Sequence, residues 1–122
     1  MAVYNKGIET KKKFIELTYA KLCEKEASEL TVRDLARENG CSAAALYRYF
    51  DGLEYLITVA SVRFLDEYMQ RYAELLDSDQ DFREIYIRGW ELFDSYAFQR
   101  PDIYHRLFWG TENSIFSAAF QD

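Results

Sequence analysis

The apolar residues of this chain recur every three or four positions, which is the period of an α-helix that buries one face. Polar or glycine-containing breaks separate these stretches, and alternating strand patterns bounded by turn residues are absent. The pattern therefore predicts an all-α fold. The predicted helices run from Thr10 to Lys25, over two short stretches between Thr31 and Phe50, from Leu53 to about Leu75, from Phe82 to Phe98, and from Pro101 to Gly110. Residues 1–9 are expected to form a loose arm, and residues 111–122 begin a further amphipathic pattern.

Two short helices joined by a tight turn are predicted between Thr31 and Phe50, in TVRDLARENGCSAAALYRYF. Thr31 and Ser42 are residue types that cap helix N-termini. Gly40 suits a left-handed residue just past a helix end, where a side chain costs more. Leu46 and Phe50 form an apolar i, i+4 pair on the second helix. This spacing fits a helix-turn-helix, whose second helix is presented to the major groove of DNA.

The same stretch resembles the DNA-binding domain of the tetracycline-repressor (TetR/AcrR) family of bacterial transcription regulators. The likeness rests on T-V-R-D-L-A, followed by G-C-S and L-Y-x-Y-F, and extends from Phe14 to about Leu56. It implies a helix-turn-helix DNA-binding domain over residues 1–52 and the N-terminal portion of a helical effector-binding domain over residues 53–122. Family members are usually longer and dimerise through two further helices, so the chain is similar to a regulator without its C-terminal part.

The resemblance also implies which residues contact DNA. Thr31, Tyr47 and Tyr49 match positions that touch phosphate, and Arg33 matches one that can reach a base edge. Core packing is the alternative for the two tyrosines, above all for Tyr49. The expected DNA-binding residues are Thr31, Arg33, Ser42, Ala43, Ala44, Ala45, Tyr47, Arg48 and Tyr49. The three alanines can contact thymine methyl groups but cannot read a donor–acceptor pattern, so direct readout is expected to be sparse.

Aromatic side chains are frequent after Leu53 and could line an apolar pocket with a few polar groups. The resemblance implies that such a pocket would hold a small-molecule effector of unknown identity. The candidate pocket residues are Phe64, Tyr68, Tyr86, Trp90, Phe93, Tyr104 and Phe108. Gly89 is expected to allow a close helix approach or a ligand. The alternative is that aromatic residues at helical spacing simply form the core.

The formal net charge of −6 is unevenly distributed along the chain. Residues 1–50 contain nine Lys or Arg against seven Asp or Glu, whereas residues 51–122 contain six against fourteen. A mildly basic end can approach phosphates while an acidic end stays in solvent. The lysine run at residues 11–13 fits either phosphate attraction or an ordinary solvated helix face.

Several classes of protein are disfavoured by what the sequence lacks. No apolar run has the length of a signal peptide or a membrane span, which indicates a cytoplasmic protein. Cys23 and Cys41 have no metal-ligand spacing and are expected to be free thiols, and the single histidine, His105, makes a poor metal site. No nucleophile–base pair or glycine-rich phosphate loop is visible. We therefore expect no cofactor, no metal and no enzymatic activity.

These observations favour a ligand-responsive transcriptional regulator, expected to be a repressor, that binds a near-palindromic double-stranded DNA operator as a homodimer. The alternative is a helical interaction module that keeps the scaffold without sequence-specific DNA binding. The three alanines of the second helix support that alternative. So do the acidic balance and Leu53, which stands where family members frequently have a phosphate-binding lysine.

Overall fold

The computed structural model describes residues 2–109, with side chains from Lys6 onward, so Gly110 and the pattern at 111–122 lie outside the described residues. All regular structure within the described range is helical, which confirms the predicted all-α fold. The α-helices are α1 (Ala2–Glu24), α2 (Val32–Glu38), α3 (Ala43–Tyr49), α4 (Leu53–Ser61), α5 (Asp66–Leu76), α6 (Phe82–Ala97) and α7 (Pro101–Trp109). Two 3-10 turns, Ala27–Glu29 and Val62–Leu65, follow α1 and α4 respectively.

Helix α4 continues through the second 3-10 turn into α5 without leaving helical backbone geometry, as the long helix predicted from Leu53 requires. The described chain thus forms six helical segments. The Thr58 hydroxyl donates to the carbonyl oxygen of Glu54 at 2.9 Å, and the Ser61 hydroxyl donates to that of Ile57 at 2.6 Å. Bonds of this kind compete with the backbone ladder, and the 3-10 turn begins directly after them at Val62.

The predicted N-terminal arm is wrong for residues 2–9, which form the first turns of α1. A β-carbon built on Gly7 would lie 3.8 Å from Cε1 of Tyr49, so the start of α1 touches the end of α3. The two residues are far apart in the sequence. Their contact gives the N-terminal turns a packing partner that local helix propensity cannot reveal.

Two groups of buried apolar side chains fill the interior, and α1 and α4 contribute to both. The N-terminal cluster consists of Phe14, Leu35, Leu46, Phe50 and Leu56. The central cluster consists of Leu22, Ala27, Leu30, Ile57, Ala60, Leu65, Ile103, Tyr104 and Leu107. Removing this apolar surface from water drives the packing. The first cluster holds α2 and α3 against α1 and α4, and the second holds α7 there.

Arg100, in the loop between α6 and α7, ties α7 to the end of α1. Its guanidinium donates to the carbonyl oxygens of Leu22 and Lys25 and pairs with Asp102 at 3.0 Å. The Asp102 carboxylate also accepts from the backbone N–H of Ala27 at 3.5 Å. A cation at the C-terminal end of a helix is favourable because the last carbonyl groups have no intrahelical partner. We call this arrangement the Arg100–Asp102 clasp.

The clasp also makes the stability of the fold depend on pH. The Arg100 guanidinium hydrogen-bonded to Asp102 lowers the pKa of that carboxyl below its usual value of 3.8. A carboxyl with a lowered pKa in the folded state stabilises the fold above its unfolded pKa. That contribution is lost as the pH falls through the folded-state pKa.

We expect Asp102→Asn to lower the free energy of unfolding at neutral pH by about 1 kcal/mol, because Arg100 loses its charged partner. The difference from the parent protein should shrink as the pH falls below 3.8, where the parent carboxyl also becomes protonated. Chemical denaturation followed by circular dichroism at several pH values measures both effects. Asp79→Asn removes one charge from the exposed loop after α5 and should change little. A difference that stays constant with pH would contradict the clasp.

Candidate nucleic-acid interface and aromatic groove

The two short helices α2 and α3 each begin at a hydrogen-bonded cap at the predicted position. Thr31 Oγ1 accepts from the backbone N–H of Asp34 at 3.1 Å, and Ser42 Oγ accepts from that of Ala45 at 3.3 Å. Gly40 has a φ of 70°, which lies in the left-handed region that favours glycine. The two predicted N-caps and the predicted glycine at the end of α2 are therefore confirmed.

Helix α3 has one buried side and one side in solvent. Leu46 and Phe50 are almost completely buried in the N-terminal cluster. The Phe50 ring meets that of Phe14 edge-on, with the centroids 6.1 Å apart. The solvent side carries Ala43, Ala44, Tyr47 and Arg48, and Tyr47 is 54% exposed. A large partner can therefore reach four of the nine predicted contact residues on one face of one helix.

The other five predicted contact residues differ in accessibility. Thr31, Arg33 and Ser42 are exposed, although the hydroxyls of Thr31 and Ser42 already cap helices. Ala45 is half-buried, and Tyr49 is half-buried against Gly7 of α1. The ring of Tyr49 thus packs between helices, which is the alternative that the sequence left open for it.

Helix α1 brings positive charge close to the C-terminal end of α3. Lys11 Nζ lies 5.8 Å from the centroid of the Phe50 ring, and the lysines at 12–13 are exposed on the same helix. Lys21, further along α1, instead pairs with Glu38 of α2 at 2.7 Å, and this hydrogen bond raises the pKa of Lys21. The lysines nearest α3 are those in the first half of α1, where they can attract phosphates.

Leu53, at the start of α4, is half-buried and packs against both apolar clusters. A lysine ammonium at this position would have to reach past these apolar contacts to stay in water. The leucine therefore serves the packing of this chain. Because of this position, the start of α4 carries an apolar side chain rather than a charged one.

An aromatic groove of about 390 Å³ lies between α5, α6 and α7. Five of the predicted pocket residues line it: Tyr68, Tyr86, Trp90, Phe93 and Phe108. Phe64 and Tyr104 do not line it. The Phe64 ring packs edge-on against that of Tyr19 in α1, and Tyr104 is buried in the central cluster. These two side chains pack into the interior, which is the alternative interpretation of the aromatic residues.

Three further residues line the groove: Tyr72, Gly89 and Trp109. A β-carbon on Gly89 would lie 3.2 Å from Cε2 of Tyr72, closer than ordinary contact, so glycine lets α5 and α6 approach here. Tyr72 follows Tyr68 by four residues, and that spacing is the sequence signal for it. Trp109 directly follows Phe108. Because adjacent residues of a helix point in different directions, helical spacing does not predict that both line the groove.

Phe93 stands at the centre of the ring packing in the groove. Its ring meets those of Tyr68, Trp90, Phe108 and Trp109 edge-on, at centroid distances between 5.3 and 6.1 Å. Edge-to-face pairs of this kind add about 0.5–1.5 kcal/mol each beyond the burial of area. Burial raises the pKa of Tyr68, and it raises that of Tyr104 to about 12.

Helix α7 belongs both to the groove and to the packing around α1 and α4. Phe108 and Trp109 line the groove. One turn earlier, Arg106 pairs with Glu54 at the start of α4, and the Tyr104 hydroxyl donates to the carbonyl oxygen of Phe64 at 3.4 Å. The clasp joins the beginning of α7 to the end of α1. A displacement of α7 therefore affects the groove and the N-terminal half of the chain together.

Two kinds of feature are absent from the part of the chain that the structure describes. Among residues 6–109, no three His, Cys, Asp or Glu side chains lie close enough together to hold a metal ion. Cys23 is exposed and Cys41 is half-buried, and both are free thiols. None of the described helices combines the length and the apolarity needed to cross a membrane.

The chain matches none of the protein-family models, curated proteins or solved structures with which it was compared. The class that the fold defines is a small all-helical protein. Its two distinctive surfaces are the exposed side of α3 and the aromatic groove between α5, α6 and α7.

Gly40→Ser is expected to lower the free energy of unfolding by about 1 kcal/mol or more, because a side chain is disfavoured at its positive φ. Gly52→Ser is a matched control, since Gly52 has extended backbone (φ 173°) and open space around its would-be β-carbon. Serine there should be neutral or slightly stabilising as the N-cap of α4. Urea denaturation of both variants measures the difference. Equal destabilisation by the two substitutions would contradict the assigned turn geometry.

Proposed function

We propose that this chain is a DNA-binding transcriptional regulator of the TetR/AcrR type, with α2 and α3 as its helix-turn-helix. The observation that carries the proposal is the solvent side of α3, which exposes Ala43, Ala44, Tyr47 and Arg48 together. The opposite side of the same helix is anchored in the N-terminal cluster. An exposed face on an anchored helix supports recognition, because its side chains need little ordering when a partner binds.

The side chains on this face suit a DNA groove. The small side chains of Ala43 and Ala44 let the helix approach base edges closely and contact thymine methyl groups. The Tyr47 hydroxyl can donate to a phosphate, and Arg33 of α2 can donate two hydrogen bonds to a guanine. The exposed lysines of α1 add attraction that does not depend on sequence. Phosphate contacts, methyl contacts and DNA shape would thus supply much of the specificity.

Two copies would bind a near-palindromic operator, with their α3 helices about 34 Å apart in successive major grooves. A small-molecule effector would occupy the aromatic groove. Because α7 contributes to the groove and also pairs with α4 through Arg106 and Glu54, a ligand that favours one position of α7 biases the rest of the chain. Repression would be relieved when the effector favours the arrangement with lower operator affinity.

A helical interaction module without sequence-specific DNA binding is the second candidate. Large apolar side chains exposed on and beside α6 favour it: Phe82 is 85% exposed and Phe98 is 80% exposed. The two candidates differ in one measurable respect. A DNA regulator binds a selected DNA sequence, and its DNA affinity falls strongly as the salt concentration rises. A protein-binding module shows neither sequence selection nor salt-dependent binding of DNA.

Selection of genomic fragments by the protein, followed by affinity measurements on the selected duplex, separates the two candidates. The regulator should return a near-palindromic sequence. Its affinity should fall by about 100-fold between roughly 50 and 200 mM salt, as expected when about four phosphates are neutralised. Binding that shows no sequence selection or no salt response would favour the interaction module.

We expect Ala44→Glu to weaken binding to the selected duplex by about 100-fold, because it turns a carboxylate toward the phosphates and base edges. Ala73→Glu is the matched control, since Ala73 is also an exposed helical alanine but lies on α5. The control should bind within about twofold of the parent protein. Fluorescence anisotropy measures both affinities, and circular dichroism checks that both variants are folded. Equal effects of the two substitutions would contradict the placement of α3 in the DNA.

A further inference from the structure

The groove between α5, α6 and α7 has walls of one chemical kind. Apart from Gly89, every described residue that lines it is aromatic. Trp90 and Trp109 are 55% and 59% exposed, so a ligand can reach their rings. The faces of aromatic rings carry partial negative charge, and they attract cations that lie within about 6 Å of the ring centre.

The helices around the groove add negative charge of their own. Together, α5, α6 and α7 carry seven Asp or Glu against four Arg, and no Lys. Two of those arginines already pair with carboxylates on their own helix: Arg71 with Glu67 at 3.1 Å and Arg88 with Glu84 at 3.6 Å. A ligand entering this region therefore meets an excess of negative charge and aromatic faces. This combination disfavours an anion and favours a cation over a neutral compound of the same shape.

The volume and the ring arrangement limit the size and shape of the ligand. A space of about 390 Å³ is at the small end of the range for ligand pockets, which suits a compact molecule rather than a peptide. Trp90 and Trp109 both meet the Phe93 ring edge-on, at 6.1 and 6.0 Å. A flat ligand can stack on rings held in this way with little further ordering.

We propose that the groove binds small, flat organic cations, such as quaternised heteroaromatic rings, against the rings of Trp90 and Trp109. The proposal rests on the proposed function only in taking the groove as the effector site, and it names the charge and shape of the effector. The described rings provide the attraction, and the net negative charge of the three surrounding helices disfavours anions.

Calorimetric titration of the protein without DNA tests the proposal with three probes of similar size. N-methylquinolinium is cationic, 4-methylquinoline is neutral at about pH 8, and quinoline-4-carboxylate is anionic. The cation should bind saturably, at about one per chain, and about tenfold more tightly than the neutral probe. The anion should bind more weakly still.

Trp90→Leu keeps an apolar side chain and removes the ring, so it should weaken binding of the cation by about tenfold and of the neutral probe less. Phe82→Leu is the control, because Phe82 is an exposed aromatic residue of α6 that does not line the groove. It should leave binding of all three probes unchanged. Circular dichroism of both variants confirms that they remain folded.

Equal affinity for the cationic and neutral probes, preference for the anion, or no binding of any probe would overturn the proposal. Sedimentation measures whether a second copy of the chain covers the groove instead. Dimers that Trp90→Leu dissociates, together with absence of probe binding, would assign the groove to that copy. Because no DNA is present, these results are independent of operator binding, and failure of the DNA experiments would leave them standing.

Discussion

The packing of α1 against α4 is the contact on which the other elements depend. Phe14 and Leu22 lie two turns apart on α1 and enter different clusters, and the neighbours Leu56 and Ile57 on α4 are divided in the same way. Each cluster then holds further elements: α2 and α3 on one side, and α7 on the other. The exposed side of α3 and the position of α7 are therefore both set by one helix pair, and neither can move far without disturbing it.

Burial is distributed unevenly around this helix pair. No residue of α5 is buried, and in α6 only Gly89 is, whereas α4 buries six residues in succession from Leu56 to Ser61. Segments with few buried contacts open and shift at lower free-energy cost than densely packed ones. A ligand in the aromatic groove would add apolar contact where the chain has least. The least buried part of the structure is thus where binding can change the population of conformations most.

Local chemistry allowed much of the fold to be predicted. Thr31, Ser42 and Gly40 act through hydrogen bonds and backbone angles within a few residues, so their roles follow from residue type and spacing. The prediction of a loose N-terminal arm failed because contacts between residues far apart in the sequence determine the structure there. Gly7 meets Tyr49 across the fold and extends α1 toward the N-terminus, which no local pattern indicates.

Only part of the candidate site could be predicted, because it too depends on contacts between residues far apart in the sequence. Helical period identifies which aromatic residues share a face, but it does not say which faces meet across a groove. Phe64 and Tyr104 have the right spacing, yet they pack toward α1 and the central cluster. Trp109 lines the groove although its neighbour Phe108 already does, because the end of α7 presents two adjacent rings.

The claim that the exposed side of α3 recognises DNA is tested most directly by amide NMR spectra of the protein with and without the selected duplex. We expect the largest shift changes at Thr31 and Arg33 and across α3 from Ser42 to Arg48. The amides of α6 should change much less. Changes that are largest along α6 and the aromatic groove, with the α3 amides unaltered, would contradict the account.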